Sequence, residues 1–380
     1  MKKVLIILPS RYDKLETFLK MLVDNLTLSR STKFYFAHNS PRLDLIKFVT
    51  IIKLVFNLRK LISYYFTLDK SSTILQKLKN IYLNSNSLIY DKLDVIHFSF
   101  SNLAVSSFTI GKIYNAYVSI GLRGYDITYF PLNHPNCYSV DYWKNIDFMQ
   151  TNSDDLYRCA LRWGAHRELP FFKITAAVND EFVLEMEKVK IKQNFDKRPV
   201  EILFIGRLHW KKGIESLIRL LLISNTKEID LRLTIIGDGL ELEKLNYLIW
   251  KYDLYKQITL LGRLSQMEIL SVIDETDIVI APSIQEGCSN VVLEAQARGK
   301  FCIVSDAEGM NEVILNNETG FMFEEFNEAE ILNLILKYIT CNVQERTVIS
   351  IRSIERIRKH FLRSKQIQEW EYYFNEFIRV

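Results

Sequence analysis

The sequence predicts an α/β fold of two doubly wound parallel sheets, and three observations support this prediction. Short apolar runs recur along the chain, helical patterns follow most of them, and the chain has 380 residues. Strands that alternate with helices favour parallel sheets built from βαβ units. A length prior of roughly 100–200 residues per domain favours two such sheets.

Apolar runs define candidate strands in both halves of the chain. In the first half they are VLIILP (4–9), KFYFAH (33–38), DVIHFSF (94–100), AYVSIGL (116–122) and DFMQTN (147–152). In the second half they are EILFIG (201–206), RLTIIG (232–237), ITLLG (258–262), DIVIAP (277–282) and FCIVSD (301–306). No clear strand occurs between about Phe172 and Pro199, so we place the boundary between the two domains there.

The composition is that of an ordinary globular protein, with 48% hydrophobic and 25% charged residues. The five cysteines are odd in number and never spaced as CxxC, which argues against a disulfide framework or a zinc site. This cysteine usage favours a reducing compartment. The apolar run at the N-terminus is shorter than the core of a signal peptide. We therefore expect a cytoplasmic protein.

A basic region follows Asp24, although the net charge of the whole chain is only +4. Within it, LIKFVTIIKLVFNLRKLISYYF (45–66) is strongly apolar but is interrupted by basic residues, so it is unsuited to span a membrane. Two interpretations remain open. The segment is either an amphipathic element on an anionic membrane surface or a core helix with solvated lysines.

In open α/β sheets, ligands bind beyond the carboxyl ends of the strands. After the first strand of the second half, Gly206 and Arg207 begin a loop that ends at Lys212 and Gly213. Glycines let the backbone approach a ligand, and two cations near a helix N-terminus suit a diphosphate. The alternative is a basic surface turn.

A second loop, Pro282 to Asn290, follows the run 277–282 and leads into a helix that begins near Val291. Ser289 or Asn290 is a suitable N-cap, and the free amides of the helix start would bind a phosphate. Glu286 lies on the loop, and Glu294 lies about one turn into the helix. Carboxylates accept hydrogen bonds from the hydroxyls of a sugar or a ribose, although a carboxylate at a helix start is also a common structural feature.

A third loop, in the first half, reads Arg123-Gly124-Tyr125-Asp126, with His134 nearby. It either contributes a cation and a carboxylate to a binding site or is an ordinary turn. The sequence contains no GxGxxG, GxxxxGK[ST], HExxH or GxSxG motif, which argues against the common dinucleotide reductases, P-loop NTPases, zincins and α/β hydrolases. It also lacks an Asp-x-Asp metal motif at a strand end, so we expect a metal-free site.

Together these residues resemble the retaining glycosyltransferase family 4, whose members have the GT-B architecture. The stretches that carry the resemblance are ILFIGRLHWKKG (202–213), LTIIGDGLELEKL (233–245), ITLLGRLSQMEI (258–269) and APSIQEGCSNVVLEAQARGKFCIVSDAEGMNEVI (281–314). Glu286 and Glu294 match the E-x7-E pair of that family. The first half is similar more loosely, at Pro9-Ser10 and Leu15 to Phe18, to members that build bacterial exopolysaccharides and capsules. Arg123 stands where many members carry histidine.

The resemblance implies two Rossmann-like domains with a central cleft and a C-terminal helix that crosses back to the first domain. Residues 1–175 would form the acceptor-side domain and residues 198–360 the donor-binding domain. Residues 361–380 would be the helix that packs back on the first domain.

The resemblance also implies a role for each site residue. Arg207 and Lys212 would neutralise the diphosphate of the donor, Glu286 would hold the donor sugar, and Glu294 would bind the ribose. Further implied donor-binding residues are Gly206, Gly237, Gly287, Cys288, Ser289 and Asn290. Arg123 and Asp126 would be part of the catalytic group and, together with Glu16, would meet the acceptor.

The function that the resemblance implies is transfer of a sugar, with retention of configuration, from a UDP- or GDP-sugar to a glycan or lipid-linked acceptor. The context would be bacterial surface polysaccharide synthesis at the inner face of the plasma membrane. We expect no cofactor and no nucleic-acid partner. A nucleotide-sugar epimerase or phosphorylase of the same architecture and a non-catalytic sugar-nucleotide-binding protein remain as alternatives.

Overall fold

The chain divides into two compact units, each with its own sheet. Unit 1 comprises Met1–Ile174 and Ile367–Val380, and unit 2 comprises Thr175–Gln366. Residues 176–197, where the sequence predicts a domain boundary, therefore belong to unit 2. The computed structural model describes residues 2–9, 17–26, 32–38, 58–68, 73–77, 90, 92–191, 195, 198–324 and 327–378.

Unit 1 contains a six-stranded parallel sheet in the order β2-β1-β3-β4-β5-β6. The strands are β1 (Lys2–Leu8), β2 (Thr32–His38), β3 (Val95–Phe98), β4 (Tyr117–Leu122), β5 (Phe148–Thr151) and β6 (Phe171–Lys173). The described α-helices are Thr17–Leu26, Leu58–Thr67, Ser101–Ala104, Ile110–Tyr114, Phe130–Asn133, Val140–Lys144 and Asp154–Arg162. Two short π-helices are Tyr125–Tyr129 and Tyr373–Phe377.

Both faces of the unit 1 sheet are buried, which explains the nearly continuous apolar sequence of β1. Leu5 and Ile7 face one core, which also contains Trp143. Val4 and Ile6 face the other core, which contains residues from the C-terminal end of the chain. Those C-terminal residues are Trp370, Tyr373, Phe374 and Ile378.

Unit 2 contains a second six-stranded parallel sheet, in the order β12-β11-β10-β7-β8-β9. The strands are β7 (Val200–Ile205), β8 (Leu231–Ile236), β9 (Ile258–Gly262), β10 (Ile278–Ala281), β11 (Phe301–Ser305) and β12 (Phe321–Phe323). The α-helices are Ile214–Thr226, Leu242–Lys251, Gln266–Glu275, Asn290–Ala297, Met310–Val313, Glu328–Thr340 and Val343–His360, and Arg363–Tyr372 begins in unit 2 and ends in unit 1. Short 3-10 helices are Asp180–Phe182, Met186–Lys188 and Trp210–Lys212.

The strand order of unit 2 reverses direction between its two central strands, β7 and β10. From β7 the chain proceeds outward to β8 and β9 on one side and then returns to β10, β11 and β12 on the other. The loops at the carboxyl ends of β7 and β10 therefore diverge, which opens a crevice where ligands bind in doubly wound sheets. In unit 1 the corresponding reversal lies between β1 and β3.

The structure adds details that the sequence-based interpretation lacks. Strands β6 and β12 were not predicted, because three residues at the edge of a sheet are too short to show a period. The helix Val343–His360 ends before Phe361, whose carbonyl accepts a hydrogen bond from the Val178 amide at 2.8 Å, and the helix Arg363–Tyr372 follows. No helix in the described ranges is both long and apolar enough to cross a membrane.

Candidate functional site

The loops after β7 and β10 contact each other directly. The backbone amide of Ile284 donates a hydrogen bond to the carbonyl of Lys211 at 2.8 Å. Gly213 has a left-handed backbone with φ of +65°, and a Cβ atom there would overlap the carbonyl oxygen of Pro282. Only glycine permits both the backbone angle and this close approach. The two loops that the sequence singles out thus form one site at the strand reversal.

Lys212 and Glu286 form an ion pair between the two loops, Nζ to Oε2. Their side chains retain 21% and 17% of their exposure, so both remain accessible to a ligand. Arg207 is exposed and forms no ion pair with any residue in the described ranges. The pKa of Lys211 is lowered by burial and by the nearby charges of Arg207 and Lys212. A bound anion would offset this mutual repulsion of three cations.

The helix Asn290–Ala297 begins beside these cations. Its N-cap is Ser289, which is buried and whose side chain does not cap the helix. The first amides of a helix have no intrahelical acceptor and carry partial positive charge. The loop before the helix, which contains Gly287 and Cys288, is anchored at its start, where the Ser305 hydroxyl donates to the carbonyl of Ser283. The helix start can therefore accept an anionic ligand.

Gly206 and Gly237 hold a third loop against the first. The amide of Gly206 donates to the carbonyl of Ile236 at 3.0 Å, and the amide of Leu208 donates to that of Asp238 at 2.9 Å. Gly237 has φ of +142°, and a Cβ atom there would overlap the Gly206 carbonyl oxygen. Gly237 thus has a structural reason to be glycine, whereas a Cβ atom at Gly206 would make only ordinary contacts. The contact of either residue with a donor stays a prediction.

Glu294 lies in the helix that follows the second loop, and it is partly buried. Burial raises the pKa of its carboxyl group, while a hydrogen bond from Gln266 and the charge of Arg363 act in the opposite direction. The Gln266 amide nitrogen donates to Glu294 Oε1 at 3.1 Å. Sequence reasoning missed both partners. The capping-box pattern of Ser265 and Glu268 marks the helix that carries Gln266, but it does not reveal which residue Gln266 contacts.

In unit 1, Asp126 is fully buried and accepts three hydrogen bonds. The donors are the Ser101 amide at 2.8 Å, the Ser101 hydroxyl at 2.9 Å and the Arg123 amide at 2.8 Å. Burial raises the pKa of Asp126 to about 6. Arg123 is 8% exposed, donates to Asn152 Oδ1, and places its guanidinium carbon 5.9 Å from the centre of the Trp370 ring. Both residues are built into unit 1, and their contact with an acceptor stays a prediction.

Several predicted features lie beyond the residues that the structure describes. Glu16 is one of them, and residues 45–57 of the basic apolar segment are another. The rest of that segment belongs to the helix Leu58–Thr67, in which Tyr64 is buried and Phe66 is 75% exposed. In the described ranges, no group of three or more His, Cys, Asp or Glu residues could hold a metal ion. The metal-free reaction stays a prediction.

The paired six-stranded sheets define the class of protein as a two-unit, doubly wound α/β protein of the GT-B kind, as the sequence predicts. A solved structure, HepE of Anabaena in complex with UDP and glucose, matches this chain with a TM-score of 0.69 at 14% identity. The match covers 99% of this chain and 100% of HepE. At such low identity the likeness concerns the fold.

The segment that contains both loops is similar to a known protein family. Residues 185–356 match the family described as glycosyl transferases group 1. An uncharacterized glycosyltransferase of Methanocaldococcus jannaschii is 29% identical over 205 residues, which are 51% of this chain and 51% of that protein. An uncharacterized 41.2 kDa protein in the cps region of Klebsiella pneumoniae is 24% identical over 270 residues, which are 64% of this chain and 69% of that protein. The chain thus spans about half the length of the archaeal relative, and its similarity to the group 1 glycosyl transferases is carried by residues 185–356.

Proposed function

We propose that this protein is a retaining glycosyltransferase of family 4, which moves a sugar from a UDP- or GDP-sugar to a glycan or lipid-linked acceptor. The observation that carries the proposal is the contact between Lys212 and Glu286. It joins a cation and a carboxylate from two loops at the strand reversal. Such a pair suits a ligand that is anionic at one end and rich in hydroxyl groups at the other.

The cations and the helix start would bind the diphosphate. Negative charge develops on the diphosphate as it leaves the sugar, and fixed charges stabilise such a transition state without reorganisation. Arg207, Lys212 and the first amides of Asn290–Ala297 would supply this positive charge. Because the protein itself supplies it, we propose a reaction that requires no metal ion and no cofactor.

The two carboxylates would bind hydroxyl groups. Glu286 would hold the transferred sugar, and Glu294 would hold the ribose, each as an acceptor of hydrogen bonds. Their role is to position the donor for reaction. The acceptor hydroxyl would attack the anomeric carbon from the face that the diphosphate leaves, and its proton would pass to the departing phosphate oxygen. The configuration is retained, and no side-chain nucleophile takes part.

We place the reaction in the synthesis of a bacterial surface polysaccharide, in the cytoplasm. The similarity to a protein from a cps region supports this setting, and the UDP and glucose bound to HepE support a UDP-sugar donor. Unit 1 would receive the acceptor, with Glu16, Arg123 and Asp126 on that side. The exposed side chains of Ile62 and Phe66 support peripheral contact with an anionic membrane at its inner face.

Thermal-shift measurements with a panel of UDP- and GDP-sugars, with EDTA present, test the proposal. Ligands of one base should raise the melting temperature, because a ligand at 100 times its Kd stabilises a protein by about 2.7 kcal/mol. The stabilising sugar nucleotide should then be hydrolysed or transferred. If no sugar nucleotide binds, the proposal is wrong. If a free epimerised sugar forms without any acceptor, the protein is an epimerase instead.

A further inference from the structure

Glu294 receives a hydrogen bond from a residue outside its own helix. The side chain of Gln266 donates through Nε2 to Oε1 of Glu294 at 3.1 Å. The two residues come from different helices, Gln266–Glu275 and Asn290–Ala297. One oxygen of the carboxylate is thereby held in place, while Oε2 and the remaining lone pair of Oε1 can accept hydrogen bonds from a ligand.

The backbone of Gln266 lies at a well-capped helix start. This residue is the first residue of its helix, directly after the N-cap Ser265, and a reciprocal capping box between Ser265 and Glu268 fixes the helix start. Gln266 is exposed, whereas Glu294 is partly buried. A ligand that approaches Glu294 from solvent therefore meets a carboxylate whose orientation Gln266 has already set.

Arg363 is the second group that acts on Glu294. It comes from the segment after Phe361, and its positive charge favours the ionised carboxylate. Its own hydrogen bonds go elsewhere, to the Ala177 carbonyl at 2.8 Å and the Gln366 side chain at 2.9 Å, and Asp180 is the other acidic residue near it. In the described part of unit 2, no further charged side chain shifts the pKa of Glu294. Gln266 is thus the group that both contacts and orients the carboxylate.

We propose that Gln266 is a positioning residue that makes the donor site specific for ribonucleotides over 2′-deoxyribonucleotides. A ribose presents two neighbouring hydroxyls, and an ionised carboxylate of fixed orientation can accept from both. A 2′-deoxyribose presents only one of them. Without Gln266 the carboxylate turns more freely, and the second hydroxyl adds less to binding. This inference rests on the proposed binding of the ribose by Glu294.

The experiment is calorimetric titration with UDP and GDP and with their 2′-deoxy forms, over a range of pH. Gln266→Leu removes the side-chain amide that donates the hydrogen bond, at similar side-chain size. The control, Met267→Leu, places leucine at the next residue, which is 67% exposed. The wild type and Met267→Leu should prefer the ribonucleotide. Gln266→Leu should bind it about tenfold more weakly, the size expected for one hydrogen bond to a charged group. Gln266→Leu should change the binding of the 2′-deoxynucleotide little, so its preference for the ribonucleotide should fall.

The pH dependence provides a second readout that a merely structural residue would not change. Loss of the Gln266 hydrogen bond raises the pKa of Glu294 further, so the loss of UDP or GDP binding on acidification should begin at a higher pH in Gln266→Leu. Gln266→Glu adds a negative charge beside Glu294 at nearly the same side-chain size, and it should also raise the pH at which binding is lost. An unchanged preference for the ribonucleotide and an unchanged pH profile in Gln266→Leu would overturn this inference but not the proposed function. Failure of the wild type to bind either nucleotide would overturn the proposed function as well.

Discussion

Units 1 and 2 are built on parallel sheets of six strands, but they use the charged residues at their strand ends differently. In unit 2, Lys212 and Glu286 are partly exposed and pair across two loops. In unit 1, Asp126 is fully buried and accepts hydrogen bonds from Ser101 and from the Arg123 amide. A charged residue after a strand can therefore serve a ligand or hold its own loop together. The two units differ in whether backbone amides near the charged residue donate hydrogen bonds to it.

The largest expected effect is on activity, and it tests the unit 2 half of this comparison. Lys212→Ala and Glu286→Ala should each reduce sugar transfer or hydrolysis by at least about 100-fold, because each removes a charge that stabilises or positions the donor. The melting temperature should change little, because a partly exposed ion pair contributes little stability. Lys244→Ala, which breaks the exposed pair with Glu215, is the matched control and should be fully active. Normal activity in both site variants would remove these residues from the site.

The next effect tests the close approach of the two loops in unit 2. Gly213 and Gly262 have nearly the same left-handed backbone, with φ of +65° and +66°, but only a Cβ at Gly213 would meet another atom. Both alanine variants should lose about 1–2 kcal/mol for the backbone angle. Gly213→Ala should lose more stability in urea denaturation, and it should also lose nucleotide binding, because the loops must separate. Equal losses in the two variants would show that the contact with Pro282 contributes nothing.

The smallest effect tests the unit 1 half of the comparison. Asp126→Asn replaces an oxygen that accepts hydrogen bonds by an NH2 group, and should lower the free energy of unfolding by about 1–3 kcal/mol. The ordinary pKa of 3.8 is raised to about 6 in the fold. Between these values the folded state binds more protons than the unfolded chain, so the contribution of Asp126 to stability falls as pH rises through this window.

The measurement for Asp126 is urea denaturation of both proteins at pH 4 and pH 7. The stability advantage of the wild type should be larger at pH 4, since the variant cannot titrate at this position. Burial lowers the pKa of His97 to about 3, which gives the opposite pH slope, but His97 is common to both proteins and cancels in the difference. A wild-type advantage that grows as pH rises would show that Asp126 is stabilised as an anion, as a ligand-facing carboxylate would be.

The sequence predicts the sheets well, because buried parallel strands are continuous apolar runs, as β1 and β10 show. It also predicts that the loops after β7 and β10 meet, since strand ends share one edge. It does not predict that Asp126 is buried, because a backbone amide that donates a hydrogen bond to its carboxylate belongs to Ser101, 25 positions earlier in the chain. The partner of Glu294 is 28 positions away, and no local pattern marks such a contact.

Besides the Lys212–Glu286 ion pair, main-chain atoms join the loops after β7 and β10. The Gly213 backbone meets the Pro282 carbonyl, and the Ile284 amide bonds the Lys211 carbonyl. A side chain on the second loop that makes none of these contacts, such as that of Gln285, can thus be exchanged without moving the backbone of the first loop. If the proposed function is correct, mutation of this loop should alter the selected sugar while anion binding is conserved, which makes the loop the first choice for engineering donor preference.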